Sequence, residues 1–196
     1  MTNANRIFSA LICALAIAAL AAQFMVVQGR TSSLGATLWG LAGYFTILTN
    51  CLIAVAFGSQ AFGRRLTGRE AAAVTISIVM VGIVYQILLY RPLVPWSLRW
   101  WADLGLHRIT PILTVLWWLR FAPRTLTLRD LPFCLIWPMA YCAYALVRGA
   151  ATGFFPYPFL NAGRLGWDTV AVNVTGMALA FAAMALMLVA ASRFSR

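Results

Sequence analysis

The sequence predicts an all-α fold, a polytopic membrane bundle of six transmembrane helices. Hydrophobic residues make up 63% of the 196 residues and charged residues only 10%, far from the balance of a soluble globular protein. The apolar residues form long runs, and an α-helix needs a run of about twenty to cross the hydrocarbon core of a bilayer. The length fits one domain, so residues 1–196 are interpreted as a single integral membrane domain.

Six apolar runs are predicted to be spans. Their approximate bounds are Ile7–Val27, Leu38–Phe57, Ala71–Leu89, Ala102–Phe121, Leu131–Arg148 and Thr169–Ala191. The first run is too long for the apolar region of a typical signal peptide and precedes no clear small-x-small cleavage site, so it is interpreted as a helix. Thr67 and Glu70 have the spacing of a capping box at the start of the third span. Pro111 predicts a kink in the fourth span.

The distribution of arginine predicts the orientation of the chain. All fifteen basic residues are arginine, and all but Arg108 flank the apolar runs. Nine of them lie at the termini and in the loops on the same side, against five on the other side. Because arginine-rich loops stay in the cytoplasm, both termini are expected to be cytoplasmic. The arginines form no stretch with interleaved aromatic residues, so binding to nucleic acid is not expected.

The cysteines and the single histidine predict neither a disulfide framework nor a bound cofactor. Cys13, Cys51, Cys134 and Cys142 all fall inside predicted spans, and no CxxC pair occurs. One histidine, His107, cannot supply the paired axial ligands of a membrane cytochrome, and it has no partner cysteine pair for zinc. We therefore expect no metal and no cofactor.

The stretch "GYFTILTN", residues 43–50, places three polar side chains in an otherwise apolar run. They are Thr46, Thr49 and Asn50. Polar groups in lipid are costly and usually face the bundle interior or a cavity, which makes these residues candidates for a site. A threonine in a membrane helix also commonly bonds to a carbonyl one turn earlier, which is a purely structural role.

The same argument applies to His107, whose possible roles are general base, proton relay or structural hydrogen-bond partner. Thr46, counted from Leu38, lies roughly 12 Å below the outer face, and His107, counted from Trp101, lies roughly 9 Å below it. If these two spans touch, a threonine hydroxyl and the imidazole can meet, as an activated nucleophile requires. The spacing does not choose between Thr46 and Thr49.

Asp103 precedes His107 by four residues and therefore lies on the same helical face. It can orient the imidazole in the manner of a triad acid. The alternative is an ion pair with Arg99, which also lies four residues from Asp103, and this alternative is slightly favoured.

The stretches "GYFTILTN", "LHRITPIL" and "GFFPYPFL" together resemble the androgen-induced and androgen-dependent family of integral-membrane threonine hydrolases, especially its bacterial six-span relatives. The resemblance extends from the second to the sixth predicted span, and residues 157–160 are its most specific local match. It implies hydrolysis of lipid esters, such as fatty-acid esters of hydroxy fatty acids, in a bacterial cytoplasmic membrane. On the family pattern Thr46 is the nucleophile and His107 the base. Thr49 and Asn50 replace an acidic stretch of the family and are expected to shape the site or to donate to it.

Such an ester carries a free carboxylate, and the planar guanidinium of arginine matches a carboxylate. Arg108 beside His107 and Arg148 at the end of the fifth span are the candidate anchors, and Tyr157 belongs to the aromatic loop expected to cover the substrate. The alternative for both arginines is contact with lipid phosphates.

Two other function classes stay open. A non-catalytic lipid-binding or structural membrane protein would use the same polar residues to hold its helices together. A transporter is less favoured, because the polar residues cluster in the outer half of the bilayer and acidic residues are nearly absent from the spans. Membrane lipids or a lipid ester are the expected partners of a hydrolase or a lipid-binding protein.

Overall fold

The computed structural model describes residues 1–31 and 33–194, and every regular element in this part of the chain is helical. The α-helices are α1 (Asn3–Gln28), α2 (Leu34–Leu41), α3 (Phe45–Ala61), α4 (Gly68–Val84), α5 (Leu98–Leu104), α6 (Thr110–Phe121), α7 (Leu131–Thr152), α8 (Ala162–Leu165) and α9 (Trp167–Phe194). Two π-helical turns, π1 (Tyr85–Leu89) and π2 (Gly105–Ile109), follow α4 and α5, and 3-10 turns cover Leu128–Asp130 and Pro158–Leu160. The all-α prediction is confirmed.

Within the described residues, four helical segments are long and apolar enough to cross a membrane. They are α1, α4 with π1, the segment 128–152 that contains α7, and α9. The bent pair of α2 and α3 gives a fifth candidate if it is counted as one span. Several such helices identify an integral membrane protein. The arrangement of six spans and the orientation stay predictions, and Arg196, counted for the orientation, lies outside the described residues.

The second predicted span, Leu38–Phe57, is not one continuous helix. Helix α2 ends at Leu41, α3 begins at Phe45, and the two helices are bent by 91° across the break. Glycine before and within the break disfavours a continuous helix, and Tyr44 has the extended backbone of an N-cap residue. The depth counted for Thr46 along a straight helix therefore does not hold.

The predicted capping box at the start of α4 is confirmed. The Glu70 amide donates to the Thr67 hydroxyl at 3.3 Å, and the Thr67 amide donates to the Glu70 carboxylate at 2.9 Å. The same carboxylate pairs with Arg64 at 2.6 Å. The helix starts at Gly68, three residues before the predicted bound.

The fourth predicted span corresponds to one helical run, 98–121, made of α5, π2 and α6. It is not among the four apolar segments, because Asp103, His107 and Arg108 lower its hydropathy. Pro111 lies in the first turn of α6 and has no N–H to donate. The Thr110 amide instead bonds five residues back to the Gly105 carbonyl, which is the π-helical pattern.

Helix α1 is central to the unit of residues 1–123, where it packs against α3, α5 and α6. A polar network joins three of these helices at one end. The Asn5 side-chain oxygen accepts from Trp117 at 2.8 Å and from Gln60 at 3.0 Å, and Gln60 also donates to the Ser9 hydroxyl at 2.8 Å. These bonds satisfy polar groups that would be costly if they were left unpaired in a membrane.

Gly105→Ala is expected to destabilise the first unit. A Cβ at Gly105 would lie 2.6 Å from the Ala19 Cβ of α1, which forces the two helices apart. Such overpacking costs about 1–3 kcal/mol of unfolding free energy, measured as a lower Tm of the detergent-solubilised protein. Gly176→Ala is the matched control, since a Cβ at that helical glycine meets nothing within 4 Å. An equal Tm for both variants would contradict this packing.

The second unit, which begins at Arg124, is built around α7 and α9, which pack against each other. The aromatic loop between them is tied to α9, since the Asn173 side chain donates to the Phe159 carbonyl at 2.9 Å.

The four cysteines, all within the described residues, form no disulfide. All of them are free thiols, and Cys51 is exposed while Cys134 is buried.

Candidate functional site

The two π-helical turns of the first unit lie against each other and bring a group of polar side chains together. The rings of Tyr85 in π1 and His107 in π2 are stacked, with centroids 3.8 Å apart and an interplanar angle of 16°. Gly82 permits this approach, because a Cβ there would lie only 3.0 Å from the His107 carbonyl oxygen. π-helical turns occur frequently at functional sites, which makes this pair a candidate.

The hydrogen bonds of His107 fix its tautomer. Its Nδ1 lies 3.3 Å from a carboxylate oxygen of Asp103 and 3.2 Å from the Asp103 carbonyl oxygen. Both partners are acceptors, so Nδ1 donates its proton to Asp103 and Nε2 is the ring nitrogen left to exchange a proton. The alternative ion pair between Asp103 and Arg99 does not form within the described residues. The imidazole is thus oriented as in a general base held by a carboxylate.

Tyr85 holds the other side of this pair. Its ring covers the His107 ring, and its hydroxyl interacts with the Asp103 carboxylate. The edge of Tyr90 contacts Tyr85 with ring centroids 6.0 Å apart. Sequence reasoning missed Tyr85, although a tyrosine in an apolar span is itself a signal, because its buried hydroxyl needs a partner.

Arg108 extends the polar cluster toward π1. Its Nε and Nη2 each lie 3.3 Å from the side-chain oxygen of Gln86, and its guanidinium lies 5.3 Å from the Tyr90 ring centroid. No carboxylate lies within ion-pair distance of Arg108 among the described residues. The guanidinium has five N–H donors, so it keeps several donors for another partner, while its charge acts on the Asp103 carboxylate at longer range.

A groove of about 530 Å³ begins at this polar cluster and runs between α4 and α6. His107, Arg108 and Gln86 lie at one end of the groove. Its walls are apolar and include Val79, Ile83, Ile87, Ile112, Val115 and Leu116. The imidazole therefore faces a space that suits an apolar molecule with a polar end.

The polar stretch of α3 reaches π2 through Asn50. The Asn50 amide nitrogen donates to the Thr46 carbonyl at 2.8 Å and to the Leu106 carbonyl at 3.4 Å. The second acceptor is a carbonyl that Pro111 cannot satisfy, since proline lacks an N–H. Helix α3 and the turn that carries His107 are thus in contact, as the sequence analysis required for a site.

The two polar neighbours of Asn50 differ in accessibility. Thr46 is the second residue of α3 and is partly exposed, whereas Thr49 is fully buried. The Asn50 side-chain oxygen is buried and has no partner among the described residues. Since both N–H groups of Asn50 are engaged, this side chain offers an acceptor and no further donor.

Two predicted substrate-binding residues, Arg148 and Tyr157, belong to the second unit. Arg148 is only 6% exposed, bonds the Tyr144 hydroxyl at 3.0 Å and lies 5.3 Å from the Phe154 ring centroid. It lies inside α7, which continues to Thr152, so it does not end the helix as predicted. This burial also excludes the alternative of an arginine extended to lipid phosphates.

Tyr157 is buried within the same unit. Its ring is stacked on Phe159, with centroids 5.2 Å apart, and meets Tyr141 edge-on at 6.4 Å. The loop residues predicted to cover a substrate are therefore packed into an aromatic cluster.

No group of three or more His, Cys, Asp or Glu side chains that could hold a metal ion occurs within the described residues.

No family model, curated protein or solved structure matches this chain.

Proposed function

We propose that the protein is a membrane-embedded hydrolase of lipid carboxylic esters, with Thr46 as the nucleophile and His107 as the general base. The observation that supports this most strongly is the hydrogen bond from His107 Nδ1 to Asp103, which leaves Nε2 to accept a proton. The resemblance to membrane threonine hydrolases supports the choice of Thr46, and the contact of α3 with π2 places both residues in one unit.

The reaction has two steps. In the first, the Thr46 hydroxyl oxygen attacks the ester carbonyl carbon while His107 Nε2 takes the hydroxyl proton. The bond to the alcohol oxygen then breaks, the imidazolium returns its proton to the leaving alkoxide, and an acyl-threonine remains. In the second step, water loses a proton to His107 and attacks the acyl carbon. The bond from this carbon to the Thr46 oxygen breaks, the imidazolium returns its proton to that oxygen, and the fatty acid is released. Asp103 stabilises the imidazolium in both steps.

The amino terminus of α3 supplies stabilisation for the oxyanion. Thr46 lies in the first turn of a 17-residue helix, whose dipole is positive at this end. Tyr44, the N-cap residue, provides no side-chain cap. The helix dipole therefore favours negative charge beside Thr46, whereas the amide donors of Asn50 are already engaged.

The substrate we propose is a long-chain ester that also bears a carboxylate, such as a fatty-acid ester of a hydroxy fatty acid. Arg108 would bind this carboxylate, since the groups that contact its guanidinium, Gln86 and the Tyr90 ring, are neutral. We place the protein in a bacterial cytoplasmic membrane with both termini in the cytoplasm. The bent pair α2–α3 and the run 98–121 then complete six spans.

A second candidate function is lipid binding without catalysis, which the apolar groove beside His107 favours. One assay distinguishes the hydrolase from the lipid-binding protein. Purified full-length protein in nanodiscs is incubated with a fatty-acid ester of a hydroxy fatty acid, and both bound ester and released fatty acid are measured. Release above the rate of empty nanodiscs supports the hydrolase, whereas saturable binding with no release supports the lipid-binding protein.

Tyr85→Phe is expected to lower kcat about tenfold and to leave KM unchanged. The variant keeps the ring stack on His107 and loses only the hydroxyl that interacts with the Asp103 carboxylate, and a tenfold change in kcat corresponds to about 1.4 kcal/mol. Tyr85→Leu loses the ring stack on His107 as well, so its kcat should fall further. Tyr90→Phe is the control, because it keeps the ring that contacts Arg108. A rise in KM with constant kcat would show that Tyr85 binds substrate rather than positioning the base.

A further inference from the structure

The groove beside the polar cluster is built by one face of each of two helices. On α4 and π1 its lining residues recur at Val79, Ile83 and Gln86, and on the π2–α6 run at Arg108, Ile112 and Val115. These spacings of three and four residues align side chains along one helical face. The groove is therefore a continuous channel parallel to both helices.

The two ends of the channel differ in chemistry. Gln86 and Arg108 are hydrogen-bonded to each other at one end, and Gly82 approaches Pro111 in the middle. Val115 and Leu116 form the other end, where the lining side chains are apolar. A molecule that fits this channel has a polar head at Arg108 and an apolar tail toward Val115.

The charge of Arg108 identifies the head. An arginine in an apolar segment normally pairs with an acid or reaches the interface. Here no acid lies within ion-pair distance among the described residues, and the groups that contact the guanidinium, Gln86 and the Tyr90 ring, are neutral. The Asp103 carboxylate acts on Arg108 only at longer range and is paired with His107. A ligand carboxylate would neutralise this charge and use the donors that remain.

We propose that this groove is the binding site of one fatty carboxylate chain, whose carboxylate lies at Arg108 and whose hydrocarbon tail lies between α4 and α6. From His107 to Leu116 the helical run extends roughly 13 Å, which matches an extended chain of about ten carbons. The remaining carbons of a longer chain pass beyond Leu116 into the bilayer. As the subsite for part of a substrate this inference rests on the proposed function, whereas occupancy of the groove does not require hydrolysis.

The test is photo-crosslinking of a 16-carbon fatty acid with a mid-chain diazirine to the full-length protein in phosphatidylcholine nanodiscs, with adducts mapped by mass spectrometry. We expect adducts on residues of the groove such as Ile83 and Ile112. Val115→Phe should reduce labelling by the 16-carbon probe at least threefold. Labelling by a 10-carbon probe should fall less. Leu119→Phe is the matched control, because Leu119 is an exposed residue of α6 outside the groove.

A second pair of probes tests the head. Arg108→Gln should reduce labelling by the fatty acid at least fivefold and leave labelling by the corresponding fatty alcohol unchanged. Adducts spread evenly over α1 and α9, or equal effects of Val115→Phe and Leu119→Phe, would overturn the inference. If the groove is labelled but the protein releases no fatty acid, the proposed hydrolase function is rejected and the proposed binding site is retained. If the protein hydrolyses the ester but labelling is insensitive to Val115→Phe, only the proposed binding site is rejected.

Discussion

His107→Gln is expected to lower kcat for ester hydrolysis by about a thousandfold, the middle of the range of about 10²–10⁴ for general acid–base catalysis. Glutamine preserves hydrogen bonding and approximate volume, but it cannot accept a proton from a threonine hydroxyl at neutral pH. Release of fatty acid from a saturating ester in nanodiscs is the measurement. A His107→Gln variant that retains more than a tenth of the wild-type kcat would contradict the role of the base.

The partner of the histidine provides an independent check. Asp103→Asn removes the negative charge that stabilises the imidazolium, and the expected fall in kcat is about a hundredfold. Arg99→Gln is the control for charge on the same helical run, since Arg99 forms no ion pair with Asp103 within the described residues. Tm values of all variants are compared, so that a folding defect is recognised as such.

Thr46→Ala is expected to abolish hydrolysis, with a loss of at least a thousandfold, because no acyl-enzyme can form without its hydroxyl. Thr46→Ser should retain measurable activity, as serine supplies the same attacking oxygen. Thr49→Ala is the matched control three residues along the same helix, and it should keep wild-type kcat if its Tm is preserved. The reverse pattern, with Thr49→Ala inactive and Thr46→Ala active, would transfer the nucleophile to Thr49.

Much of the helical architecture follows from composition and local spacing. Long apolar runs predicted α1, α4, α7 and α9, because a helix that crosses lipid must be apolar over about twenty residues. The capping box of Thr67 and Glu70 is a local motif, so its two hydrogen bonds were predictable from four residues. Both kinds of signal depend only on neighbours in the chain.

The bend between α2 and α3 was not predicted, because the apolar run continues through it. Hydropathy carries no information about the direction of the backbone. The glycines at residues 40 and 43 are no clear signal either, since glycine is common in membrane helices. The error matters for the site, since it moves Thr46 from the middle of a straight helix to the first turn of a new one. This placement puts Thr46 at the positive end of the α3 dipole.

Only the contacts of the site between residues close in sequence were predictable. Asp103 and His107 are four residues apart on one helical run, so their contact follows from helical geometry, although the ion pair with Arg99 was preferred. The stack of Tyr85 on His107 and the bond from Arg108 to Gln86 cross 22 residues of sequence. They depend on the close approach of two helices, which one sequence does not specify.

The proposed chemistry is tested most directly by mapping the residue that an active-site-directed reagent modifies. Purified wild-type protein in nanodiscs is treated with a long-chain fluorophosphonate and analysed by tandem mass spectrometry. We predict one phosphonylated residue, Thr46, with modification lost in His107→Gln. Modification of another residue, or of Thr46 at the same rate in His107→Gln, would contradict a Thr46 nucleophile activated by His107.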